Sequence, residues 1–408
     1  MTRVLAPLMV LSLVSFGACD SGGSGTQDGA TGAVDAVGGD DATGDDVATT
    51  TTPGDDATGT TTAPEDATTT APPEDATTTS PEDATTTTPE DTATPVDTTP
   101  LEPPPIVGTS STFIGDWQMD PGREVTKCVV RRLDNEDDLW VSQIRTELAK
   151  GSHHMIIYVS DETEERTTPF NCDPFVSTLK GTTYPLMITQ IREETLTFPP
   201  GVAFKFAPHQ MIRIEAHYLN YFPESITAHG DIHFDAIAAD RVTDEANLLF
   251  YGNPDFEIPA GQTLTTPWRF LDVPAGSKVF ALTGHEHAYG KNVEVSYATD
   301  AEDEGTSVYP DEGVKFDWEE PPVSTYDPPL TFSEGQGFRY RCTWENTSNH
   351  TVRFGESANA EMCFFWAYYY PSQGYRLCVS PGNIGNGVAG DQVCCPGHWV
   401  CDYLNQFL

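Results

Sequence analysis

One abrupt change of composition limits what this 408-residue chain can fold into. Between Asp20 and Pro105 the sequence holds 19 acidic residues and no Lys, Arg or aromatic residue. Such a segment cannot bury enough apolar surface to offset the entropy of ordering it. A Pro-Glu-Asp-Ala-Thr-Thr-Thr unit recurs within it and offers no hydrophobic position, which is typical of a low-complexity spacer and not of a solenoid. We therefore predict a disordered linker over 19–108, followed by the folded part of the chain.

The first eighteen residues have the pattern of an export signal. A charged start at Arg3 is followed by a short apolar stretch and then by Gly17-Ala18-Cys19. The stretch is too short to span a bilayer, and small residues directly before a cysteine are similar to the end of a lipoprotein signal peptide. We expect 1–18 to be removed and Cys19 to carry lipid, so that the protein is exported and anchored to a bacterial membrane, on its periplasmic face or at the cell surface. A plain secretory signal is the alternative.

The net charge of −41 excludes some partners. About half of it belongs to the spacer, and the remainder of the chain is still strongly acidic. Acidic surfaces repel phosphate backbones and anionic lipids. We expect no nucleic-acid partner, and contact with the membrane only through the lipid anchor.

Eight cysteines remain once Cys19 is assigned to lipid. An even set in an exported chain predicts disulfides. Four crowd into the C-terminal tail: Cys378, Cys394, Cys395 and Cys401. A zinc site made from these four is the alternative, although no Cys-x-x-Cys spacing is present. Their disulfide pairing has three possible arrangements, which the sequence leaves open.

The folded part reads as an all-β protein. Short runs rich in Val, Ile, Phe and Tyr are broken by Gly, Pro, Asn and Asp at the intervals of antiparallel sheets. One core rarely grows to this size, so we predict two β-sandwich domains in tandem, over 109–243 and 244–408, with the seam near Val242 to Ala246. The best candidate for a helix is the stretch around Asp138 to Ala149, where the helical periodicity is weak.

Several histidines stand where their imidazoles can meet on strands. His285 and His287 flank Glu286 after an apolar run, and residues at i and i+2 on a strand project from the same side, which lets both reach one metal ion. His217 ends another strand pattern. His153 and His154 are adjacent, and because neighbours on a regular strand face opposite ways, a bulge or bend is needed there.

A further strand pattern, Glu361–Tyr368, puts Met362, Phe364 and Trp366 on one face. Each of these signals is modest alone, since a histidine pair is more often a surface accident and a lone methionine is more often core packing. The remaining histidines match no motif, and we interpret them as surface or hydrogen-bonded groups: His209, His229, His233, His350 and His398.

The order of the motifs is more specific than any one of them. His-His-Met, Ala-His-Tyr, Gly-His-Glu-His, and Glu-Met-Cys followed by Tyr-Tyr-Tyr-Pro resemble, in that order, the copper type II, ascorbate-dependent monooxygenases. That family includes dopamine β-monooxygenase and the peptidylglycine hydroxylating enzyme, and the similarity covers about 110–385. It implies two jelly-roll-like sandwiches, each holding one copper, with the two coppers facing each other across a water-filled cleft. It also implies a small-molecule substrate, O₂, and a one-electron reductant such as ascorbate.

The resemblance assigns six side chains to two coppers. The ligands of the electron-transfer copper would be His153, His154 and His217. The ligands of the oxygen-binding copper, which would also be the catalytic residues, are His285, His287 and Met362. Neutral imidazole suits copper and a thioether favours Cu(I), whereas the absence of carboxylates at these positions makes calcium and magnesium unsuitable. Hydroxylation of a C–H bond needs two external electrons, and each copper can store one.

The resemblance also indicates how some cysteines pair. In the family the cysteine after the methionine ligand bridges back within the second domain, which implies a bond between Cys363 and Cys342. Cys128 with Cys172 is the matching candidate in the first domain.

Some positions depart from the peptide-hydroxylating branch. Thr283 stands where that branch has a basic residue, and Phe364 and Trp366 replace polar residues after the methionine. A peptide C-terminus would find no counter-charge, whereas an aromatic wall suits a hydrophobic or aromatic substrate. No residue stands out as the partner of an amine; Glu361 and Glu286 are candidates, but acids beside ligands are often supports for those ligands.

The function expected from the sequence is thus a copper-dependent monooxygenase that hydroxylates a small, aromatic or hydrophobic molecule. Two alternatives stay open. One is a copper-binding surface lipoprotein without turnover, and the other is an adhesin or scaffold carried on a stalk.

Overall fold

The structure is a computed structural model. It describes residues 102–174, 178, 181–357, 359–380, 392–398 and 401. The predicted signal over 1–18, the lipidation site Cys19 and nearly all of the predicted linker lie outside the described residues. The described residues belong to one compact unit. None of the helices found within them is long and apolar enough to cross a membrane.

The described residues are organised in β-strands, as the alternating apolar runs predict, and they fall into two regions. The strands of the first region are β1 (Gly108–Phe113), β2 (Trp117–Met119), β3 (Glu124–Arg132), β4 (Leu139–Leu148), β5 (Ser152–Val159), β6 (Arg166–Asn171), β7 (Tyr184–Thr189), β8 (Glu193–Thr197), β9 (Val202–Phe206), β10 (Met211–Leu219), β11 (Ile226–Ala228), β12 (Gly230–Ile237) and β13 (Asp244–Glu245). A short 3-10 turn, Ala239–Arg241, precedes β13.

The strands of the second region are β14 (Asn247–Gly252), β15 (Glu257–Ile258), β16 (Thr263–Thr265), β17 (Arg269–Asp272), β18 (Lys278–His285), β19 (Gly290–Ala298), β20 (Thr306–Tyr309), β21 (Val323–Thr331), β22 (Gly337–Glu345), β23 (Val352–Arg353), β24 (Phe364–Tyr370), β25 (Arg376–Val379) and β26 (Val393–Cys395). The prediction of an all-β fold with antiparallel sheets in two regions is confirmed.

Each region has two main sheets. In the first region one sheet has the order β1-β12-β4-β9-β13, with β8 also paired to β4, and the other has the order β6-β3-β10-β5-β7. In the second region the orders are β21-β18-β24-β14-β25-β26 and β16-β22-β19-β20, with β17 also paired to β22. β13 still pairs with β9 of the first region, while β14 pairs with β24 and β25 of the second. The domain limits of 109–243 and 244–408 stay a prediction, because the contacts place both regions in one unit.

The predicted helix around Asp138 to Ala149 is wrong. This stretch forms the ten-residue strand β4, which pairs with β12, β8 and β9. Val141 and Ile144 are fully buried. The weak helical periodicity does not determine the structure of this stretch, because cross-strand pairing and burial outweigh the intrinsic preference of a short segment.

The two regions meet through the faces of two sheets. Every residue of β10 is buried, so both of its faces are covered. Ile212 and Ile214 belong to the apolar core of the first region, which leaves the face with His217 turned to the other side. On β24, Trp366 joins that same core while its neighbour Phe365 joins the second one. Contacts such as Phe198 to Phe280, with ring centroids 5.3 Å apart, close the junction.

Disulfides pin both regions. Cys128 is bonded to Cys172, and Cys342 to Cys363, which are the two pairs expected from the sequence. The open question in the tail is answered by two bonds within it: Cys378–Cys394 and Cys395–Cys401. Because all four tail thiols are consumed in disulfides, the zinc alternative is wrong.

Candidate metal centre

Five of the six predicted ligands converge where the two regions meet. The ring centroid of His153 lies 5.2 Å from that of His154, 5.4 Å from His217, 5.5 Å from His285 and 5.2 Å from His287. These side chains come from three strands and one turn, over 135 positions of sequence, so only the tertiary fold brings them together.

The five rings form two overlapping groups, each compact enough to hold a metal ion. The first group is His153, His154 and His217, and the second is His153, His285 and His287. Within each group the ligand nitrogens lie within 4.8 Å of one another. Nitrogens bonded at 2.0–2.1 Å to one ion are at most about 4.2 Å apart, so small ring movements suffice. His153 belongs to both groups, which the sequence did not predict.

The first group is positioned by strand register. β10 pairs with β5 so that His217 stands opposite His154, while the next residue of β10, Tyr218, pairs with Ser152. The register therefore skips His153, which forms a β-bulge. The bulge that the adjacent histidines required is confirmed, because the extra residue turns both imidazoles toward the same point.

The second group is positioned by a turn. His285 is the last residue of β18, but His287 lies beyond it, so the expectation that both stand on a strand is wrong for His287. Their rings still approach to a centroid distance of 5.0 Å. The turn is tight at Gly290, where a side-chain carbon would come within 2.6 Å of the Glu286 carboxylate. Local backbone geometry, and not the period of a strand, makes this pair converge.

A buried carboxylate holds that turn. Glu361 is fully buried and accepts backbone hydrogen bonds from His287 (2.9 Å), Tyr289 (2.8 Å) and Met362 (3.2 Å). Glu286, also buried, accepts from the backbone N–H groups of Asn292 and Thr343. Burial raises the pKa of Glu361 to about 7, and burial together with the charge of Glu361 raises the pKa of Glu286 well above its ordinary value. Both acids act as supports, as expected.

Met362 lies next to this turn but not on a strand. β24 begins at Phe364, so the predicted strand from Glu361 starts too early. The backbone N–H groups of Met362 and His287 donate to the same oxygen of Glu361, which holds the two segments side by side. The Met362 side chain is buried, at 3% exposure. Its role as a ligand stays a prediction.

Hydrogen bonds decide which nitrogen three of the rings can offer. His217 Nε2 lies 3.0 Å from the Glu124 carboxylate, and His287 Nδ1 lies 3.1 Å from the carbonyl oxygen of Ala360. His285 Nδ1 lies 2.5 Å from Gln190 Oε1. Each partner atom is an acceptor, so these ring nitrogens carry the proton and the opposite nitrogens keep a lone pair for a metal.

Other ring nitrogens point into the cluster with nothing to bond. Among the described residues, His153 Nε2, His154 Nδ1 and His287 Nε2 are buried and have no hydrogen-bond partner. A buried polar atom without a partner is costly and calls for an explanation, of which an absent metal ion is one. Imidazole nitrogens with lone pairs suit copper, so the residues present fit the ion that the motifs imply.

Four of the rings are held in the neutral form that binds metals. Burial lowers the pKa values of His153, His154 and His285 well below the ordinary range, and the neighbouring imidazoles lower them further. Burial also lowers the pKa of His287 to about 4. At neutral pH no proton competes with a metal for these nitrogens.

A cavity of 490 Å³ opens beside the cluster. Both regions line it, and its walls include Glu124, Tyr221, Tyr289 and Trp318. Glu124 is the partner of His217, and the ring of Trp318 lies 6.1 Å from that of His153. The cavity is therefore lined by residues that contact the histidines, and it has the size of a small-molecule site.

The structure differs from the expected pair of separated sites. The resemblance implies a water-filled cleft between two coppers, but the rings of His154 and His285, from different regions, are only 5.8 Å apart. The reason is the apolar packing between the sheet faces around them, which leaves the histidines in one continuous cluster.

Sequence reasoning missed Gln190, Glu124 and Trp318. None of them lies in a motif, and nothing in their local sequence distinguishes them from other polar or aromatic residues. The histidines outside the motifs behave as expected where the structure shows their bonds: His229 pairs with Asp116 and Asp231, and His233 with Ser111.

Comparisons with known proteins point to the same chemistry for the second region. Residues 270–386 match the model of the copper type II ascorbate-dependent monooxygenase family, C-terminal domain. The match includes His285, His287 and Met362. The first region, with the other three predicted ligands, lies outside the matched residues.

Solved structures resemble this chain only weakly. The major capsid protein P2 of bacteriophage PM2 is 8% identical, with a TM-score of 0.28, and the match covers 64% of this chain and 100% of that one. The VP2 subviral particle of infectious bursal disease virus is 10% identical, with a TM-score of 0.16, over 72% of this chain and 80% of that one. Scores this low show neither a shared fold nor a shared function.

Proposed function

We propose that this protein is a copper-dependent monooxygenase, an oxidoreductase that hydroxylates a C–H bond of a small organic substrate with O₂ and a one-electron reductant such as ascorbate. The observation that carries the proposal is the cluster of five imidazoles in two overlapping groups, with His285 and His287 of the second group inside the segment that matches the family. A storage protein or a scaffold has no need of two unlike ligand sets.

The proposed ligands take the first group whole and combine the two second-region histidines of the second group with Met362. The electron-transfer copper would be held by His153, His154 and His217. The oxygen-binding copper would be held by His285, His287 and Met362. When bound, copper supplies the electron storage and the dioxygen chemistry.

The chain supplies orientation and a dry environment. Glu124, Gln190 and the Ala360 carbonyl fix the protons of three rings, so each presents one lone pair inward. Glu361 holds the His287 turn beside Met362. Burial of His154, His217, His285 and His287 limits the access of water to these rings.

The substrate class follows from the side chains near the second group. Trp366 has its ring 6.4 Å from that of His285 and stacks with Phe250 at 5.9 Å. Thr283, at the position where the peptide-hydroxylating branch has a basic residue, donates its hydroxyl to the carbonyl of Pro322. These contacts support a hydrophobic or aromatic substrate over a peptide carboxylate. The 490 Å³ cavity is the proposed approach for small molecules.

The cellular setting is proposed as well. Four disulfides among the described residues support an oxidising compartment outside the cytosol. We propose that the chain is exported, processed after residue 18 and anchored by lipid on Cys19. Metabolic labelling with a radioactive fatty acid should mark the wild-type chain and not the Cys19→Ser variant; equal labelling of both would contradict the lipid anchor.

Oxygen uptake tests the enzymatic proposal. Copper-loaded protein should consume O₂ in the presence of ascorbate and a member of a panel of phenethylamines and small aromatics, with hydroxylated product found by mass spectrometry. Met362→Ala should abolish hydroxylation, and His217→Ala should do so by impairing the other copper. His350→Ala, an exposed histidine outside the cluster, is the matched control and should retain activity.

Two other outcomes would contradict the proposal. Two coppers per chain without substrate-dependent turnover would favour the copper-binding lipoprotein. A purified protein without copper affinity would leave only the tethered scaffold.

A further inference from the structure

Gln190 joins the two regions at a proposed copper ligand. It directly follows β7, which pairs with β5, the strand that carries His153 and His154. Its side chain reaches across the junction to the end of β18, where Oε1 lies 2.5 Å from His285 Nδ1 and Nε2 donates to the carbonyl of Gly284 at 3.0 Å. All of these groups are buried.

The two hydrogen bonds of Gln190 together allow only one orientation of its amide and one tautomer of His285. The carbonyl oxygen of Gly284 can only accept, so it must face the NH₂ end of the Gln190 amide. The oxygen end then faces His285 Nδ1, and since that oxygen can only accept, the proton of the neutral ring must lie on Nδ1. The lone pair is left on Nε2.

The backbone at Gln190 is itself fixed. The hydroxyl of Thr189, the residue before it, donates to the carbonyl of Ile191 at 3.3 Å. Thr189 also receives a hydrogen bond from the Thr146 hydroxyl of β4, at 3.2 Å. The amide is therefore anchored in the first region before it reaches the second.

We propose that Gln190 is a positioning residue that sets the tautomer of His285, so that one sheet of the first region both carries the first histidine group and prepares a ligand of the second. The inference rests on the proposed copper function only in the effect that the tautomer has on metal binding. The tautomer itself belongs to the protein without metal, and it makes the metal affinity of the second group depend on how the regions pack.

The tautomer is measured directly in the metal-free full-length protein. Long-range ¹H–¹⁵N correlation spectra of the ¹⁵N-histidine-labelled protein distinguish protonated from unprotonated ring nitrogens. Wild type should show the His285 proton on Nδ1. Gln190→Glu should keep it there, because a carboxylate also accepts from Nδ1, while the bond to the Gly284 carbonyl is lost because a carboxylate cannot donate. Gln190→Leu removes the acceptor and should shift the proton to Nε2.

Copper(I), which is diamagnetic, can then be titrated on the same histidine signals. Gln190→Leu should weaken binding at His285 and His287 by about 10- to 100-fold, the usual cost of losing a supporting partner, and leave His154 and His217 unchanged. Gln190→Glu should recover most of the loss. Gln143→Leu is the matched control, since the Gln143 side chain of β4 donates to the Thr197 hydroxyl in an exposed pair at 2.8 Å.

The outcomes separate the two proposals. A wild-type proton on His285 Nε2, or a Gln190→Leu spectrum identical to wild type, would overturn the role of Gln190. If Gln190→Leu does not fold, the wild-type and Gln190→Glu spectra still decide the tautomer. If the expected tautomers are found but no histidine binds copper(I), the role of Gln190 is supported and the proposed copper monooxygenase function is contradicted.

Discussion

The two histidine groups contain the same kind of side chain but are held in different ways. In the first region, the pairing of β5 with β10 sets the positions of His154 and His217, and a single bulge adds His153. In the second region, His287 lies past the end of its strand and depends on a turn held by the buried Glu361. A ladder of backbone hydrogen bonds is distributed over many residues, whereas a braced turn depends on a few.

This difference indicates which substitutions should disturb the geometry of each histidine group. Single substitutions around the first group leave its strand register intact. Those around the second should loosen the turn, because Glu361 alone accepts the backbone hydrogen bonds of both His287 and Tyr289. The shared His153 complicates this contrast, because it ties the rigid group to the braced one.

The largest effect should come from His153→Ala. Its loss removes a proposed ligand of the first copper, which should be weakened by more than the roughly 100-fold that loss of a supporting residue costs. The second copper should be weakened as well, because the His153 ring also packs against those of His285 and His287. His154→Ala should weaken only the first copper, and His287→Ala only the second. Copper content per chain and competition with a copper(I) chelator measure this. If His153→Ala affects one copper alone, the two groups are separate after all.

The next largest effect should come from Glu361→Ala. It leaves three buried backbone N–H donors without an acceptor, at about 1–3 kcal/mol each, so we expect a loss of roughly 3–6 kcal/mol in the free energy of unfolding. Amide exchange should accelerate in the turn at 285–290 and not in β5 or β10. The comparison is Glu294→Ala, which breaks a partly exposed ion pair with Arg341 worth at most about 1 kcal/mol.

The two central disulfides should have similar effects on stability and different effects on copper. Replacing either pair by alanine should cost about 2–4 kcal/mol, with the 44-residue Cys128–Cys172 loop costing about 0.6 kcal/mol more than the 21-residue Cys342–Cys363 loop. Since Cys363 adjoins Met362, only its loss should lower the copper affinity of the second group. Equal copper affinities in both double variants would show that the braced turn does not need the bond.

The smallest effect should come from Glu194→Gln and should depend on pH. Burial raises the pKa of Glu194 to about 7, above the value of 4.5 expected in the unfolded chain. Between these values the folded protein binds the extra proton, so stability falls as the pH rises from about 4.5 to 7 and stays low above that. Because the carboxylate is partly accessible, we expect Glu194→Gln to gain only about 1–2 kcal/mol at pH 8 and nothing at pH 4. Thermal unfolding at the two pH values measures this, and an equal gain at both would contradict it.

Much of the fold was predictable because its signals are local. Alternating apolar residues identified strands such as β10, and the adjacent pair His153-His154 required the bulge that is present. The helix expected around Asp138 failed because β4 is stabilised by partners distant in sequence, which a local period does not report. For the same reason the strand start at Glu361 and the strand position of His287 were wrong.

The site was predictable as a set of residues and not as an arrangement. Imidazoles in ordered motifs identified five side chains that do converge. Their overlap through His153, and the 5.8 Å distance between the rings of His154 and His285, follow from how the two regions pack. Gln190 and Glu124 carry no sequence signal, because a hydrogen-bond partner is defined by position in space alone.

The sequence by itself determined which chemistry the chain can support, since residue types set the affinity for a soft, imidazole-binding metal. It also determined the all-β class, because the alternation of apolar and polar residues along the chain is a local property of the sequence. Only the tertiary structure decided that two histidine groups share a member, which nitrogen each braced ring offers, and that one region prepares a ligand for the other. These depend on distances of a few ångströms between residues about a hundred positions apart, which no local pattern encodes.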